Sequence, residues 1–162
     1  MTLETLIPPV APALLGRLHD LNETHAVELS SLSEARLGEL IAAAFVAYAD
    51  KDGDALLLAF DQDGDYDSPN FLWFRQAYAR FVYVDRVVVA ARRRGEGLAR
   101  QLYDRLFAAA RQAGHDAVVC EVNYDPPNPA SDLFHDRLGF VEVGRMHLAD
   151  RGKGVRYLRC AL

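Results

Sequence analysis

The sequence predicts an α/β protein of the α+β kind, with about six strands and about four helices. Three observations support this class: apolar residues recur at helical spacing in several segments, short runs rich in valine and aromatic residues lie between them, and Asp-Gly or Gly-Lys-Gly turns separate neighbouring runs. With 162 residues, 51% of them hydrophobic, the chain can bury a sizeable core. We therefore expect one domain over residues 1–162.

The first half of the chain predicts two helices and a β-hairpin. Residues 1–12 are rich in proline and are expected to be extended, whereas the leucines from Leu14 to Leu21 recur at helical spacing. Ser33 is a typical N-cap before a second apolar stripe, and an Asp-Gly pair predicts the turn of a hairpin. The expected elements are helices at 14–22 and 33–44 and strands at 45–49 and 55–60.

The segment from Asp61 to Asp67 alternates aspartates with other residues, as calcium-binding loops do. That template needs glycine at its sixth position and glutamate at its twelfth, whereas this chain has Tyr66 and Leu72 there, so a solvated polar loop is expected instead. The aromatic residues that follow are interpreted mainly as core, with the lining of a ligand pocket as the alternative for some of them: Trp73, Phe74, Tyr78 and Tyr83.

The second half of the chain predicts two helices between strands. A helix from Gly97 to Ala113 has one apolar face, and Gly114 is placed for a left-handed C-terminal cap. Asn128 is expected to cap a helix whose apolar face is Leu133, Phe134 and Leu138. The expected strands are 81–90, 117–122, 141–148 and 155–162.

The charge balance and the cysteines restrict the class of protein. The net charge of −5 argues against nucleic acid as the main partner, because phosphate backbones need a positive face. Cys120 and Cys160 lie in apolar runs and are expected to be buried, reduced thiols, with a disulfide as the lesser alternative. Early prolines interrupt the N-terminal apolar run, so no signal peptide or membrane span is expected and the protein is predicted to be soluble and cytoplasmic.

A basic, glycine-containing loop joins the 81–90 strand to the helix that follows. Its sequence is Arg92-Arg93-Arg94-Gly95-Glu96-Gly97. The first amides of a helix have no internal acceptors and lie at the positive end of its dipole, and glycines let a ligand approach the backbone. The loop is therefore predicted to bind phosphate.

Two common phosphate-binding templates do not fit this loop. A Walker loop ends in Gly-Lys-Ser/Thr, and no lysine is present here. The dinucleotide fingerprint needs a small residue where the chain has Arg100. The loop instead matches Arg/Gln-x-x-Gly-x-Gly/Ala, with Val89 five residues before Arg94, and in this respect the sequence resembles the GNAT superfamily of N-acetyltransferases.

A second signature supports the resemblance. Glu121-Val122-Asn123 and then the segment 128–140, which ends in Leu138-Gly139-Phe140, are similar to the family's second motif. The resemblance covers about residues 81–162. It implies a mixed, mostly antiparallel sheet of six or seven strands, splayed between the 81–90 and 117–123 strands.

The resemblance also implies acetyl-CoA as co-substrate and no metal. The amides from Arg94 to Ala99 would face the pyrophosphate, the strand edge near Val87 and Val89 would pair with the pantetheine arm, and the Val89 amide would face the oxyanion. Asn128 would contact the pantetheine, although its position before Pro129 also explains it as a helix cap. The cofactor-binding residues so implied are Val87, Val89, Arg94, Gly95, Glu96, Gly97, Leu98, Ala99 and Asn128.

Three residues are candidates for the chemistry. An aliphatic amine is protonated near pH 7, so a carboxylate must take its proton. Glu121 is the first candidate and Asp85, which shares a strand face with Val87, is the second. The alternative for Asp85 is a surface ion pair with Arg86, and for Glu121 it is a strand end that faces solvent or pairs with Arg137. His135 stands where the family commonly has the tyrosine that protonates coenzyme A, and histidine can donate a proton near neutral pH.

The sequence leaves the acceptor open. The resemblance implies a small-molecule or peptide amine, and neither nucleic acid nor a membrane is expected as partner. A homodimer, for instance through the C-terminal strand, is a further option. Because the usual tyrosine is absent, the alternative function is a non-catalytic acyl-CoA sensor or interaction domain of the same fold.

Overall fold

Strands and helices follow one another along residues 3–162, the part of the chain that this computed structural model describes. Residues 1 and 2 of the segment that the sequence predicts to be extended lie outside the described residues. The strands are β1 (Leu3–Thr5), β2 (Val46–Asp50), β3 (Ala55–Asp61), β4 (Val82–Val89), β5 (Ala117–Asp125), β6 (Val141–Leu148) and β7 (Lys153–Ala161). The helices are α1 (Pro12–Thr24), α2 (Ala26–Leu29), α3 (Glu34–Ala43), α4 (Pro69–Ala77), α5 (Leu98–Gln112) and α6 (Pro129–Arg137).

The strands form one mixed sheet in the order β1-β2-β3-β4-β5-β7-β6. Every neighbouring pair is antiparallel except β4 and β5, which run parallel. The parallel pair is joined through α5, as a crossover connection requires. The mixed, mostly antiparallel sheet expected from the sequence is confirmed.

The sheet is split between β4 and β5. These strands pair only at Val82 with Val118 and at Tyr83 with Val119. Beyond this point β4 remains paired with β3 as far as Val89, and β5 remains paired with β7 as far as Asp125. The two halves of the sheet therefore separate where predicted and leave one edge of β4 without a strand partner.

Each face of the sheet carries its own core. One core holds side chains of α1, α3 and α4, and the other holds side chains of α5. Alternation along β3 divides its residues between the two, with Leu56 and Leu58 on the first face and Ala55 and Leu57 on the second. The result is a sheet between two helical layers.

Local signals in the sequence account for several helix ends. The Ser33 side chain accepts a hydrogen bond from the Arg36 amide, and that of Asn128 accepts one from the Ser131 amide, so both predicted N-caps are present. Gly114 follows α5 with a φ of +78°, as a left-handed C-terminal cap requires.

Some elements differ from expectation. The sequence predicted about four helices, and the structure adds α2, which has only 4 residues, and α4, whose aromatic residues resemble a strand pattern. Leu133 was expected on the apolar face of α6 but is 51% exposed, because the buried side of this helix carries His135. Cys120 is buried as predicted, whereas Cys160 is only partly buried; both are free thiols.

The C-terminal strand is not at the edge of the sheet. β7 lies between β5 and β6, so both of its edges are already paired, and the expectation that two copies pair through it is wrong. Within residues 3–162, no helix combines the length and apolar character that crossing a bilayer requires.

Candidate active site

The split in the sheet opens into a chain of adjoining spaces. Two small cavities share Glu28, Asp85 and Glu121 on their walls. The α6 cavity, about 80 Å³, also contacts His135, and the β7 cavity, about 70 Å³, also contacts Lys153. Glu121 therefore lies where the two cavities meet.

A larger space adjoins each cavity. The α6 groove, about 550 Å³, shares Asn128 and His135 with the α6 cavity and extends to Arg94 and Gly95. The outer groove, about 660 Å³, shares Lys153 with the β7 cavity. The loop before α5 is thus connected to Glu121 through the α6 groove and the α6 cavity. Glu121 is connected in turn to the outer groove through the β7 cavity.

Glu121 is held by two hydrogen bonds to one oxygen. The Tyr83 hydroxyl donates to Oε1 at 2.9 Å, and the Asn70 amide donates to the same atom at 3.1 Å. Tyr157 donates to Asn70 Oδ1 at 2.8 Å and so fixes the orientation of that amide. Oε2 is buried and has no hydrogen-bond partner among the described residues.

The surroundings of Glu121 raise its affinity for a proton. Burial, assisted by the nearby Asp85 charge, raises the pKa of Glu121 to about 7, although the bonds from Tyr83 and Asn70 act in the opposite direction. A carboxyl group with this pKa is partly ionised near neutral pH. It can take a proton from an ammonium group more readily than a solvent-exposed glutamate.

Asp85, the second candidate, has both oxygens in use. The Tyr66 hydroxyl donates to Oδ1 at 2.5 Å, and Arg86 Nε lies 2.7 Å from Oδ2. The ion pair expected as the alternative is present, but it is buried, since each side chain is only 5% exposed. Asp85 therefore lines the site, but Arg86 already balances its negative charge.

His135 is buried on α6 with both ring nitrogens in hydrogen-bond range of partners. Nδ1 lies 2.7 Å from the Ser131 carbonyl oxygen, and Nε2 lies 2.7 Å from the Tyr103 hydroxyl. A carbonyl oxygen can only accept, so in the neutral ring Nδ1 carries the proton and Nε2 accepts from Tyr103. Burial lowers the pKa of His135, which favours this neutral form.

The N-terminus of α5 differs from those of the neighbouring long helices. α3 and α6 are capped by side chains, and α1 and α4 begin with proline, which has no N–H. α5 has neither, and its N-cap residue, Gly97, has a left-handed backbone with a φ of +77°. Its first amides are therefore available to an external acceptor.

The three arginines of the loop do different things. Arg92 donates to both oxygens of Asp54 at 2.7 Å, and Arg93 contacts Asp54 at 3.1 Å and Glu96 at 2.5 Å. The β2–β3 turn thus holds the loop in place through Asp54. Arg94 is exposed on the α6 groove and has no ion pair within 4 Å among the described residues.

The other predicted binding residues divide between two places. Val89, Gly97, Leu98 and Ala99 line a shallow surface beside the loop, together with Arg94 and Gly95. Val87 and Asn128 line both the α6 groove and the α6 cavity, whereas Val89 does not reach the cavity that holds Glu121. Glu96 contacts Arg93 and lines neither the shallow surface nor the α6 groove.

Several residues of the site were not identified from the sequence. They reach it only because distant segments meet: Tyr66, Asn70, Tyr103 and Lys153. Tyr83 was named only as one of four aromatic residues that could line a pocket, and alternation is no guide to it, because the β3–β4 register shift leaves Asp85 unpaired between Val84 and Arg86. No group of three or more His, Cys, Asp or Glu side chains within residues 3–162 is placed to hold a metal ion.

Comparisons with known proteins give one family. The model of the acetyltransferase (GNAT) family matches residues 39–140. A search of curated proteins by sequence found no match.

Solved structures share the fold at low sequence identity. An aminoglycoside 6'-N-acetyltransferase complexed with coenzyme A has a TM-score of 0.74 and 16% identity, over 99% of this chain and 97% of that chain. Ard1 from Thermoplasma volcanium gives 0.73 and 16% over the same shares. A chain of the NatC complex bound to Gag peptide and CoA gives 0.72 and 15%, over 99% of this chain and 98% of that chain.

Proposed function

Because the chain belongs to the GNAT acetyltransferase family, we propose that it transfers the acetyl group of acetyl-CoA directly to a primary amine. The observation that carries this proposal is the path from the uncapped N-terminus of α5 along the α6 groove to Glu121. One end of the path suits a diphosphate and the other holds a carboxyl group suited to proton transfer. Two of the solved relatives contain CoA, which is consistent with this choice of acyl carrier.

The diphosphate would be held mainly by main-chain atoms. The amides of Leu98 and Ala99 at the start of α5 donate to it, and Arg94 supplies a positive charge that no described carboxylate within 4 Å compensates. The unpaired edge of β4 offers main-chain groups to the extended pantetheine arm, and Asn128 faces the same groove. The acyl end then lies at the α6 cavity.

Glu121 acts as the general base. An ammonium acceptor loses one proton to Oε2, the oxygen without a partner, and the free amine attacks the thioester carbonyl carbon. The C–N bond forms and the C–S bond breaks, while the nitrogen loses its second proton to the Tyr103 oxygen and the Tyr103 hydroxyl gives its own proton to the sulfur. The β4 main chain at Val87, which lines the same cavity as Glu121, is better placed than Val89 to face the oxyanion.

The proton for the sulfur comes from the Tyr103 hydroxyl, which His135 holds in position. Burial favours the neutral ring of His135, whose Nε2 lies 2.7 Å from the Tyr103 hydroxyl. The hydroxyl gives its proton to the departing thiolate, its oxygen takes the second proton that the nitrogen loses, and coenzyme A leaves as a thiol. Neutral His135 therefore positions the donor and does not itself supply the proton.

A covalent acetyl-enzyme is not part of the proposal. Cys120 lines the α6 cavity, but burial raises the pKa of its thiol well above the usual value, so the thiolate that would attack a thioester is scarce. Direct transfer within a ternary complex requires no such nucleophile. The non-catalytic sensor remains the alternative outcome of the test below.

Calorimetry with acetyl-CoA and a thiol-release assay with pooled amines test the proposal. We expect binding and turnover, and we expect Gly97→Glu to weaken binding at least about tenfold by placing a carboxylate beside the diphosphate. Gly114→Glu is the matched control, since Gly114 has a similar φ at the other end of α5. Binding without turnover would favour the sensor, and absence of binding would remove the proposal.

A further inference from the structure

The β7 cavity and the outer groove carry positive charge that the transfer chemistry does not use. Lys153, at the start of β7, and Arg151, in the preceding turn, line both spaces. Lys153 donates a hydrogen bond to Ser30 Oγ at 3.3 Å. Neither cation has a carboxylate within 4 Å among the described residues.

The other charges nearby are compensated or lie elsewhere. Arg86 and Asp85 neutralise each other in a buried pair. Glu28 lines both small cavities and the α6 groove but not the outer groove. Asp67 is the one carboxylate lining the outer groove, which also contacts Arg36 besides the cations already named.

The passage is therefore polar in a defined direction. Glu28 and Glu121 line the α6 cavity but not the outer groove, Arg151 and Lys153 line the outer groove but not the α6 cavity, and all four line the β7 cavity between them. Lys153 is partly buried, and keeping such an ammonium group without an anion is unfavourable. Burial and the Arg151 charge lower the pKa of Lys153, although the charges of Glu121 and Glu28 act in the opposite direction.

We propose that the acceptor is an amine that also bears a carboxylate, such as an amino acid, and that Lys153 and Arg151 bind this carboxylate while the amine faces Glu121. This inference rests on the proposed function and adds the substrate class. A polyamine or an aminoglycoside would instead place a second ammonium group beside Lys153. A phosphate is the competing anion, because Ser68 and Pro69 at the N-terminus of α4 line the outer groove together with the two cations, and the test distinguishes it from a carboxylate.

The test compares amines that differ only in the anionic group. Thiol release from acetyl-CoA is measured with the twenty amino acids and, for each one that reacts, with its carboxamide; lysine is also compared with cadaverine, and O-phosphoethanolamine with ethanolamine. We expect at least one amino acid to react with a kcat/KM about tenfold or more above that of its carboxamide. The gain should come mainly from a lower KM.

Variants connect this preference to the two cations. Lys153→Gln is expected to bring the ratio of kcat/KM for the acid to kcat/KM for its carboxamide to within about twofold of one. Arg151→Gln changes an exposed residue and should not affect folding; it is expected to lower the same ratio. Lys51→Gln is the matched control, since Lys51 is the only other lysine and lies exposed in the β2–β3 turn. The ratio should be unaltered in this control.

Four results would overturn the inference: amides or cadaverine reacting better than the acids, a ratio that persists in both variants, O-phosphoethanolamine reacting better than every amino acid, or no reaction with any amino acid. Each of these leaves acetyl-CoA binding intact. Failure of the proposed function is distinguishable, because acetyl-CoA would then give no heat in calorimetry.

Discussion

Glu121 shows how the surroundings of one side chain determine its chemistry. Its carboxyl group shares one oxygen with Tyr83 and Asn70 and leaves the other free at the junction of two cavities. Burial raises the pKa of this group to about 7. A base for an ammonium acceptor is therefore available at neutral pH.

Replacing this residue tests its role in catalysis. We expect Glu121→Gln to lower kcat by about 10²–10⁴-fold while acetyl-CoA still binds, because the amide keeps an oxygen for Tyr83 and Asn70 but cannot take a proton. The wild-type kcat should rise with pH through about 7, as the carboxylate form accumulates, and the variant should lack this inflection. Steady-state kinetics between pH 5 and 9 measure both.

The exposed residue Glu142 provides the control for that variant. Its carboxylate pairs with Arg145 on the surface of β6. Glu142→Gln should leave kcat and the pH inflection unchanged. An unaltered pH profile in Glu121→Gln would show that another group is the base.

The raised pKa of Glu121 also predicts how stability depends on pH. The folded protein keeps a proton on Glu121 up to about pH 7, whereas the unfolded chain releases it near 4.5. Between these values the folded state binds more protons, so this group's contribution to the free energy of unfolding falls as pH rises. Glutamine does not titrate, so the free energy of unfolding of Glu121→Gln should rise relative to that of the wild type by up to about 3 kcal/mol between pH 4.5 and 8. Denaturant titrations at several pH values measure this difference between variant and wild type. For Glu142→Gln the difference should not change with pH.

The sequence predicts single residues best where they belong to a local pattern. Glu121 and His135 were identified from motifs, and Asn128 from its place before a proline. Their partners were not, because Asn70 lies 51 residues from Glu121 and Tyr103 lies 32 residues from His135. Such pairs depend on the packing of distant elements.

At the scale of elements, the loop before α5 depends on the hairpin. Asp54, in the β2–β3 turn, binds Arg92 and Arg93, and its carbonyl oxygen accepts the Ala90 amide at 2.7 Å. The hydrogen bond from Arg92, first among several causes, lowers the pKa of Asp54. The turn thus fixes the path of a loop that binds the diphosphate in the proposed function.

Loosening that contact should weaken cofactor binding without touching the cofactor. We expect Asp54→Asn to raise the Kd for CoA about tenfold, or about 1.4 kcal/mol, because the loop loses its charged anchor. Asp104→Asn removes an exposed ion pair with Arg100 on α5 and should leave the Kd unchanged. Calorimetry measures both; equal effects would mean that only net charge matters.

Element prediction succeeded where caps and turns mark the boundaries. Both side-chain caps, the Gly114 cap and the hairpin were predicted. α4 was not, because its run of aromatic residues has no strong helical period and its helical form depends on packing between Phe71, Phe74 and the sheet. Tertiary contacts decided that segment.

At the scale of the whole molecule, the split sheet should respond to acetyl-CoA. At a concentration one hundred times its Kd, we expect a gain of about 2.7 kcal/mol in the free energy of unfolding and a rise in Tm of roughly 5–11 °C. Hydrogen exchange should slow in β4 and α6, which border the α6 groove. Thermal melts and exchange mass spectrometry measure these effects.

The strands far from the split serve as the internal control. Peptides of β1 and β6, at the two edges of the sheet, should exchange at the same rate with and without ligand. Uniform protection of the whole sheet, or protection that leaves out β4, would place the ligand elsewhere.

The sequence did not predict the order of the strands, since the family resemblance implied only a mostly antiparallel sheet splayed between the 81–90 and 117–123 strands. Alternation shows which residues share a face, but it does not show that β7 inserts between β5 and β6. That insertion brings Lys153 to the cavity beside Glu121, and no local pattern around Lys153 indicates it. The acceptor side of the site was therefore least visible in the sequence.

The separation of β4 from β5 gives the site two openings, one on each side of the sheet. In the proposed function, a thioester carrier that fills the first opening leaves the second free, so neither reactant blocks the other. We therefore expect a random order of addition, with free coenzyme and acetylated product released through separate openings.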